Sequence, residues 1–443
     1  MRADKRVCRQ LSSHRAHSAR LAARVLACGL LLTLLPSCTS VLKRPRPSGA
    51  ASSCVGAPPP AAEVLGSLSV VPYRPKGLYD LNAKQGPVRL RERPCADCVA
   101  VRSYPNPRRH PGAPAGFERL ASRSFTYDNA LTALLAVAVG RRQLARRLLD
   151  TLVALQRTDG GWGFSFQLSG DGFYNEGYVR AGVVAWALYA MARYAEADPT
   201  GRYRVAMRRA GRWLLGHQQA DTGLIRGGQG RWTSSDAFEP GYRADWVSTE
   251  HNVDAYFAVR AAAVVDPQGS WPSVGLLGAA IHDHLWVEAQ GRFARGLQGG
   301  RQDLVTALDA SGSWSALFAL ATSRPLRAQR ALRWVHQRLG FRDGARHRWR
   351  PDDRPGPPVW FVEATVAIAM AHARLGERDQ AKRATQALED WVCATGLPMS
   401  YSDRWRRDHP KTPAVAPTAW WALWVVEQRG GAQWLWRAKP PGR

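Results

Sequence analysis

Acidic residues are scarce in this 443-residue chain: 35 Asp and Glu stand against 62 Lys and Arg, a formal charge of +27. Cysteine and methionine are scarcer still, at seven and five. No Gly-rich phosphate loop, Ser-centred elbow or His-Glu-x-x-His motif occurs, so the P-loop, α/β-hydrolase and zincin routes to chemistry have no footing. Past residue 38 no segment is long and apolar enough to span a bilayer. No nucleic-acid recognition motif accompanies the positive charge, and nucleic acid is not the expected partner. The excess is mostly arginine, spread over helix faces (Arg141, Arg142, Arg146, Arg147; Arg204, Arg208, Arg209, Arg212). That pattern reads as a solvated outer surface; the alternative is a surface for anionic glycans, lipid head groups or wall polymers.

What is present begins with a basic leader (Arg2, Lys5, Arg6, Arg9), an apolar run from Val25 to Leu35 and the small-residue ending Leu35-Pro-Ser-Cys38. This predicts a secretory signal over residues 1–37. Its ending resembles a bacterial lipobox, which implies Cys38 as a lipidated first residue; plain secretion is the alternative. The expected location is the cell envelope, with a lipid anchor to the membrane. Cys95-Ala-Asp-Cys98 has the spacing of a zinc or redox pair. No second pair follows and the nearest histidine is His110, so no metal is expected, and a disulfide from Cys54 to one of the two is favoured. Residues 38–115, rich in Pro, Ala, Ser and Arg, read as a linker with strand-like pieces such as Leu65–Pro72.

From Ser122 onward helical patterns recur every 50–70 residues or so. Apolar, small-residue helices are expected near 130–139, 181–194, 255–265, 314–321, 364–375 and 418–426. Amphipathic, often Arg-rich helices follow near 143–155, 203–217, 275–286, 327–339 and 380–392. Helices apolar on all sides belong inside and amphipathic ones outside. The economical arrangement is an all-α closed ring of helix pairs over 116–443, although the sequence offers no obvious twelfth helix. A polar or aromatic cluster opens each inner helix: Thr126–Asn129, Tyr174–Arg180, Ser248–Asp254, Leu308–Trp314, Val359–Glu363 and Val415–Trp420. In a ring of up-down pairs these clusters share one mouth. The most organised is Ser248-Thr-Glu-His-Asn-Val-Asp254, where Ser248 or Thr249 caps a helix and Glu250 and Asp254 share a face.

The order Thr126-Tyr-Asp-Asn-Ala130, Leu152–Trp162, Ser248–Tyr256, Trp360–Thr365 and Pro417-Thr-Ala-Trp420 resembles bacterial proteins of the six-hairpin glycosidase-like superfamily, over about Ser122–Val426. The Thr249-Glu-His-Asn252 block is the most specific part. The resemblance implies an (α/α)6 toroid with a carbohydrate at the inner-helix mouth and leaves the reaction open. Gln156–Trp162 is also similar to the repeat motif of terpene-cyclase and prenyltransferase toroids, but their Asp-rich runs are absent.

Glycosidic cleavage needs one protonated carboxyl and one carboxylate. Asp128, Glu250 and Glu363 are the candidates: Glu363 as acid, its pKa raised by Trp360 and Phe361, and Asp128 or Glu250 as base, held ionised by the helix dipole. The alternative is that these acids cap helices. His251 and Asp254 belong to the same cluster, as hydrogen-bonding groups or structural partners. Asn129, Asn175, Tyr178, Arg180, Asn252 and Tyr256 are expected to orient hydroxyls, with Tyr127 and Tyr401 beside them. Trp162, Trp360 and Trp420 are expected to stack on sugars, while Trp186 reads first as core packing. The expected ligand is an oligo- or polysaccharide, anionic ones included, with no cofactor. The rival reading is a non-catalytic glycan-binding or envelope-assembly lipoprotein.

Overall fold

Alanine-rich segments with apolar residues on every side have no face to offer water, so they pack inward. Six do so in the computed structural model: α2 (Thr126–Ala138), α4 (Ala181–Ala195), α6 (Thr249–Val265), α8 (Trp314–Ala321), α10 (Val362–Arg374) and α12 (Val415–Gly430). In α4 every residue from Ala181 to Tyr194 is buried. Each inner helix touches the next and α12 returns to α2, so the inner ring closes. Outside it lie α3 (Arg142–Leu155), α5 (Arg204–Gly216), α7 (Val274–His284), α9 (Pro325–Leu339) and α11 (Arg378–Thr395). These are one-sided: α3 buries Ala145, Leu148, Leu149, Leu152 and Leu155 and turns its arginines outward. The structure describes residues 59–75, 95–105, 117–168, 177–234, 238–406, 409–430 and 433–437, all within the unit Cys54–Arg443. The expected signal segment, Cys38, Cys54 and Asn175 lie outside these residues. None of the described helices is long and apolar enough to cross a membrane.

The missing outer helix comes from the stretch read as linker. Helix α1 (Ala61–Ser67) packs on both α12 and α2, in the sixth outer position, and buries Ala61, Val64 and Leu65. Seven residues are too few to show a helical period, which is why composition hid it. The boundary at residue 116 is therefore too late for these pieces. Of the piece read as strand, Leu65–Ser67 is helix and β1 is Val70–Pro72, paired antiparallel with β2 (Val99–Val101). The β2 segment is fully integrated: Val101 N–H donates to Asn129 Oδ1 at 3.0 Å, and Ser103 Oγ accepts from Phe125 N–H at 2.8 Å. Cys95 is bonded to Cys98, not to Cys54 as expected, and Cys393 is also disulfide-bonded.

Short strands tie the inner helices at the mouth. The chain enters α2 from β3 (Arg123–Phe125), which pairs with β4 (Ser165–Gln167), and α4 from β5 (Val179–Arg180). Strand β5 leads a sheet with β6 (Gly228–Trp232) and β7 (Phe238–Arg243). The chain enters α6 from β8 (Val247–Ser248). After the small hairpin of β9 (Trp286–Val287) and β10 (Arg292–Phe293), strand β11 (Gly296–Gln298) pairs with both β8 and β12 (Arg301–Asp303). The core is closed from within by the C-terminal tail. Trp436 is 1% exposed, stacks on Phe257 at 4.9 Å, and meets Trp186, Trp314 and Trp420 at 5.6, 6.3 and 5.3 Å. One indole thus touches side chains from α4, α6, α8 and α12.

Candidate active site

The first turns of the inner helices deliver their side chains into one cavity of about 320 Å³. Helix α2 brings Tyr127 and Asp128, α6 brings Glu250, His251 and Asp254, and α10 brings Glu363. Asp309 arrives on a π-helical turn, Asp309–Ser313, that runs into α8; π turns within helices often mark functional sites. Carboxyls spread over more than two hundred residues of sequence therefore meet around one basin, with no Lys or Arg among the described residues lining it. Trp186, Trp314, Phe125, Phe164 and Phe361 supply an aromatic wall.

Local chemistry fixes each group. Ser248 is the N-cap of α6, its Oγ accepting from His251 N–H at 3.3 Å. Gly182 faces this cluster: a Cβ there would lie 2.6 Å from His251 Cδ2 and 2.8 Å from Asp254 Oδ2. Glycine is what lets α4 and α6 approach while both polar groups stay in the cavity. Trp420 Nε1 donates to Tyr127 Oη at 2.7 Å. An indole N–H cannot accept, so the Tyr127 hydroxyl gives its own proton to Glu363 Oε1 in a short hydrogen bond. Asp128 accepts from Ser103, and Asp254 accepts from the Trp186 indole.

Burial governs the ionisation of this group. It lifts Asp128 to about 7 against the hydrogen bond from Ser103. Glu363 rises to about 8 through burial and the neighbouring charges of Asp128 and Asp309, against the bonds from Tyr127 and Tyr401. Glu250 and Asp254 are pushed well up, by burial first and then by the other acids. Asp309 reaches only about 6, since the Ala310 N–H and the charge of Arg295 favour its ionised form. The expectation that the helix dipole holds Asp128 or Glu250 ionised is thus corrected: a dipole worth under about 1 kcal/mol at most surface sites loses to desolvation here. Burial drives His251 down to about 3, with help from Arg180, and keeps its imidazole neutral.

Among the expected binding residues, Tyr127, His251, Asp254 and Tyr401 line the cavity. The others described do not. Asn129 donates to Ser124 Oγ at 2.7 Å and to the Phe125 carbonyl at 2.8 Å. Asn252 bridges the Ile225 backbone, accepting at 2.8 Å and donating at 2.9 Å. Both amides satisfy backbone groups that the turns leave open. Trp162 is fully buried and donates to the Leu152 carbonyl at 2.6 Å. Trp360 donates to Thr365 Oγ1 at 2.7 Å and packs on Trp391 at 5.4 Å, so it faces the outer layer. Tyr256 packs against Phe318 at 5.0 Å. Arg180 stacks over Tyr178 at 3.7 Å and donates to the carbonyls of Gln229 and Gly230, beside the cavity. Trp420 stands behind Tyr127. Asp309, Tyr104, Trp314 and His409 line the cavity without having been singled out for it, and Trp186, read first as core packing, lines it too. Asp309 carried the same signal as the other acids, at the start of an inner helix; Tyr104 carried none.

No family model matches the sequence, and no curated protein does. Solved structures do match. A cellobiose 2-epimerase from Bacillus thermoamylovorans superposes with a TM-score of 0.52 at 9% identity, over 69% of this chain and 88% of its own. A D-mannose isomerase gives 0.53 at 11%, over 70% and 88%. A GH63 mannosylglycerate hydrolase from Thermus thermophilus gives 0.51 at 14%, over 83% and 99%. The likeness is one of fold. It shows the (α/α)6 toroid of six helical hairpins that the sequence resemblance implied.

Proposed function

We propose that this protein is a glycoside hydrolase-like enzyme acting on a neutral oligo- or polysaccharide. The carrying observation is one aromatic-walled cavity that gathers Asp309 and Glu363, where burial pushes Asp309 only to about 6 and Glu363 to about 8. At neutral pH that difference leaves one carboxylate and one carboxylic acid, which is what cleavage of a glycosidic bond requires. Glu363 donates its proton to the departing glycosidic oxygen, and Asp309 takes a proton from the water that attacks the anomeric carbon. Both halves of the sugar leave with a hydroxyl. Tyr127 holds one oxygen of Glu363, leaving the other to carry the acidic proton. Asp309 takes the base role expected for Asp128 or Glu250, because the Ala310 N–H and the charge of Arg295 hold back the rise that burial causes.

A neutral ligand follows from charge. A uronate or sulfated sugar in this basin would meet several acids and, among the described lining residues, no Lys or Arg to offset its desolvation. Sugar-active relatives of the fold, the hydrolase and the epimerase among them, support a carbohydrate. A second reading, proton transfer at a sugar carbon, draws on His251 and His409 in the cavity wall. A histidine held near 3 is a weak base, which favours hydrolysis. The basic leader and the Cys38 ending support export to the cell envelope with a lipid anchor.

The test is incubation of the purified protein with neutral and uronate polysaccharides, following released reducing ends. Turnover of a neutral glycan that Glu363→Gln abolishes supports the reading. Turnover confined to uronate polymers overturns the neutral assignment. Binding without turnover, weakened only modestly by Glu363→Gln, establishes the non-catalytic rival.

A further inference from the structure

A second cavity, of about 390 Å³, lies against the first and shares Glu250, His251 and Asp309 with it. Its remaining wall comes from the sheet that leads into α6, with Trp246, Ser248, Leu297, Gln298 and Ala307 among its residues. We infer that this cavity is a second sugar subsite with Trp246 as its platform, so that the ligand is a neutral glycan of at least two units whose linkage passes Glu250, His251 and Asp309. The inference rests on the glycan reading above and narrows it.

Three observations carry it. The first is size: each cavity alone lies near the lower end of ligand pockets, about 300–1,000 Å³, and the two joined fall well inside that range. The second is the seating of Trp246, a half-buried residue. Its ring lies on Gly227, where a Cβ would come within 2.1 Å of Trp246 Cζ3, and its carbonyl accepts from Gly227 N–H at 2.9 Å. The Arg180 guanidinium stands 5.7 Å from the ring centre and His251 is 5.8 Å away at 45°. Held by these groups, the indole is a fixed apolar ring on a cavity whose polar lining includes the Ser248 hydroxyl, the Gln298 amide and the carboxyls of Glu250, Asp303 and Asp309, a combination a sugar's C–H face and hydroxyls fit. The third is charge. Arg295 lines this cavity, but its Nε and Nη2 donate to Asp303 Oδ2 at 2.8 and 2.5 Å. That cation is already matched, so the subsite selects an uncharged ring.

The experiment is calorimetric titration of the full chain with glucose, cellobiose and cellotriose and with mannose, mannobiose and mannotriose. The expected result is a disaccharide bound at least tenfold more tightly than its monosaccharide in one series. Trp246→Ala and Ala307→Trp, which removes space from the second cavity, should each erase that gain, while Trp246→Phe keeps most of it. Affinity for the monosaccharide should change less than twofold, a pattern that misfolding would not produce. The inference is overturned if chain length brings no gain, or if the variants weaken monosaccharide and disaccharide alike. If sugars bind but length has no effect, this inference alone falls. If no sugar binds and Glu363→Gln behaves as wild type toward every polysaccharide, the glycan reading falls and takes it along.

Discussion

The acids inside the ring and the acids around it are the same residue types in opposite situations. Away from that cavity, carboxylates are matched by arginines of the neighbouring repeat: Arg202 with Asp150, Arg208 with Asp266, Arg330 with Glu288, Arg346 with Asp390 and, between two inner helices, Arg374 with Glu427. These partners stand 42 to 58 residues apart, close to one repeat, so each pair staples one hairpin to the next. The bond from Arg208 holds Asp266 below the ordinary carboxylate range. Inside, Asp128, Glu250, Asp254, Asp309 and Glu363 share a cavity with no Lys or Arg among its described lining residues, and burial pushes all five above that range. The net charge of +27 is summed over the whole chain, while this cavity is lined by acids and, among the described residues, by no Lys or Arg. It says nothing about the ligand, whose chemistry is set by a basin of the opposite character.

That contrast can be broken from either side. The largest effect belongs to the inner acids: Glu363→Gln or Asp309→Asn should cut turnover by about 10²–10⁴-fold, the usual worth of a general acid or base. Wild-type activity should rise as Asp309 ionises through about 6 and fall as Glu363 loses its proton through about 8. A flat profile across that window would separate these two residues from the chemistry. Next in size is the indole that closes the ring. Trp436→Ala should cost about 3–5 kcal/mol in denaturant melts, as for other buried aromatics.

Among the staples, Arg374–Glu427 is the buried one. Arg374 bonds Glu427 at 2.9 and 3.0 Å and also donates to the carbonyls of Leu435 and Trp436 at 2.7 and 2.9 Å. Arg374→Met should therefore cost about 3–5 kcal/mol by leaving Glu427 buried alone. The double variant with Glu427→Leu should recover part of that. A smaller effect of opposite sign is expected within the cavity. Asp128 titrates near 7 when folded against 3.8 as the reference, so its contribution to stability is full below about pH 4 and lost as pH rises through about 7. Asp128→Asn should melt a few degrees above wild type at pH 8, with the advantage gone at pH 4. Last, Arg346→Ala breaks a half-exposed pair and should cost under about 1 kcal/mol, less in high salt.

Much of this was legible in order of residues. Periodicity separated inner from outer helices, since a helix apolar all round and one apolar on a stripe have different destinations. The acids at the starts of α2, α6 and α10 were legible as a set because helix pairs in a closed ring put those starts together. The aromatic and amide assignments were not. Trp162, Trp360 and Asn252 look like binding residues in a list, yet their N–H and C=O groups are spent on nearby backbone and hydroxyls, and only coordinates reveal which way they turn. Tyr104 and Ser103 sit in a stretch whose composition says linker, yet Tyr104 lines the cavity and Ser103 bonds Asp128, because β2 is held against α2 by Asn129.

By itself the amino-acid order determined the class of fold, the two helix layers and the convergence of Asp128, Glu250 and Glu363, because hydrophobic period and helix-capping chemistry are local. Tertiary structure decided everything that depends on which distant groups meet: the sixth outer helix from Ala61–Ser67, the Trp436 closure, the charge of Arg295 that helps Asp309 ionise, and the second cavity beside Trp246. Those outcomes follow from burial and from neighbours hundreds of residues away, which no window along the chain contains.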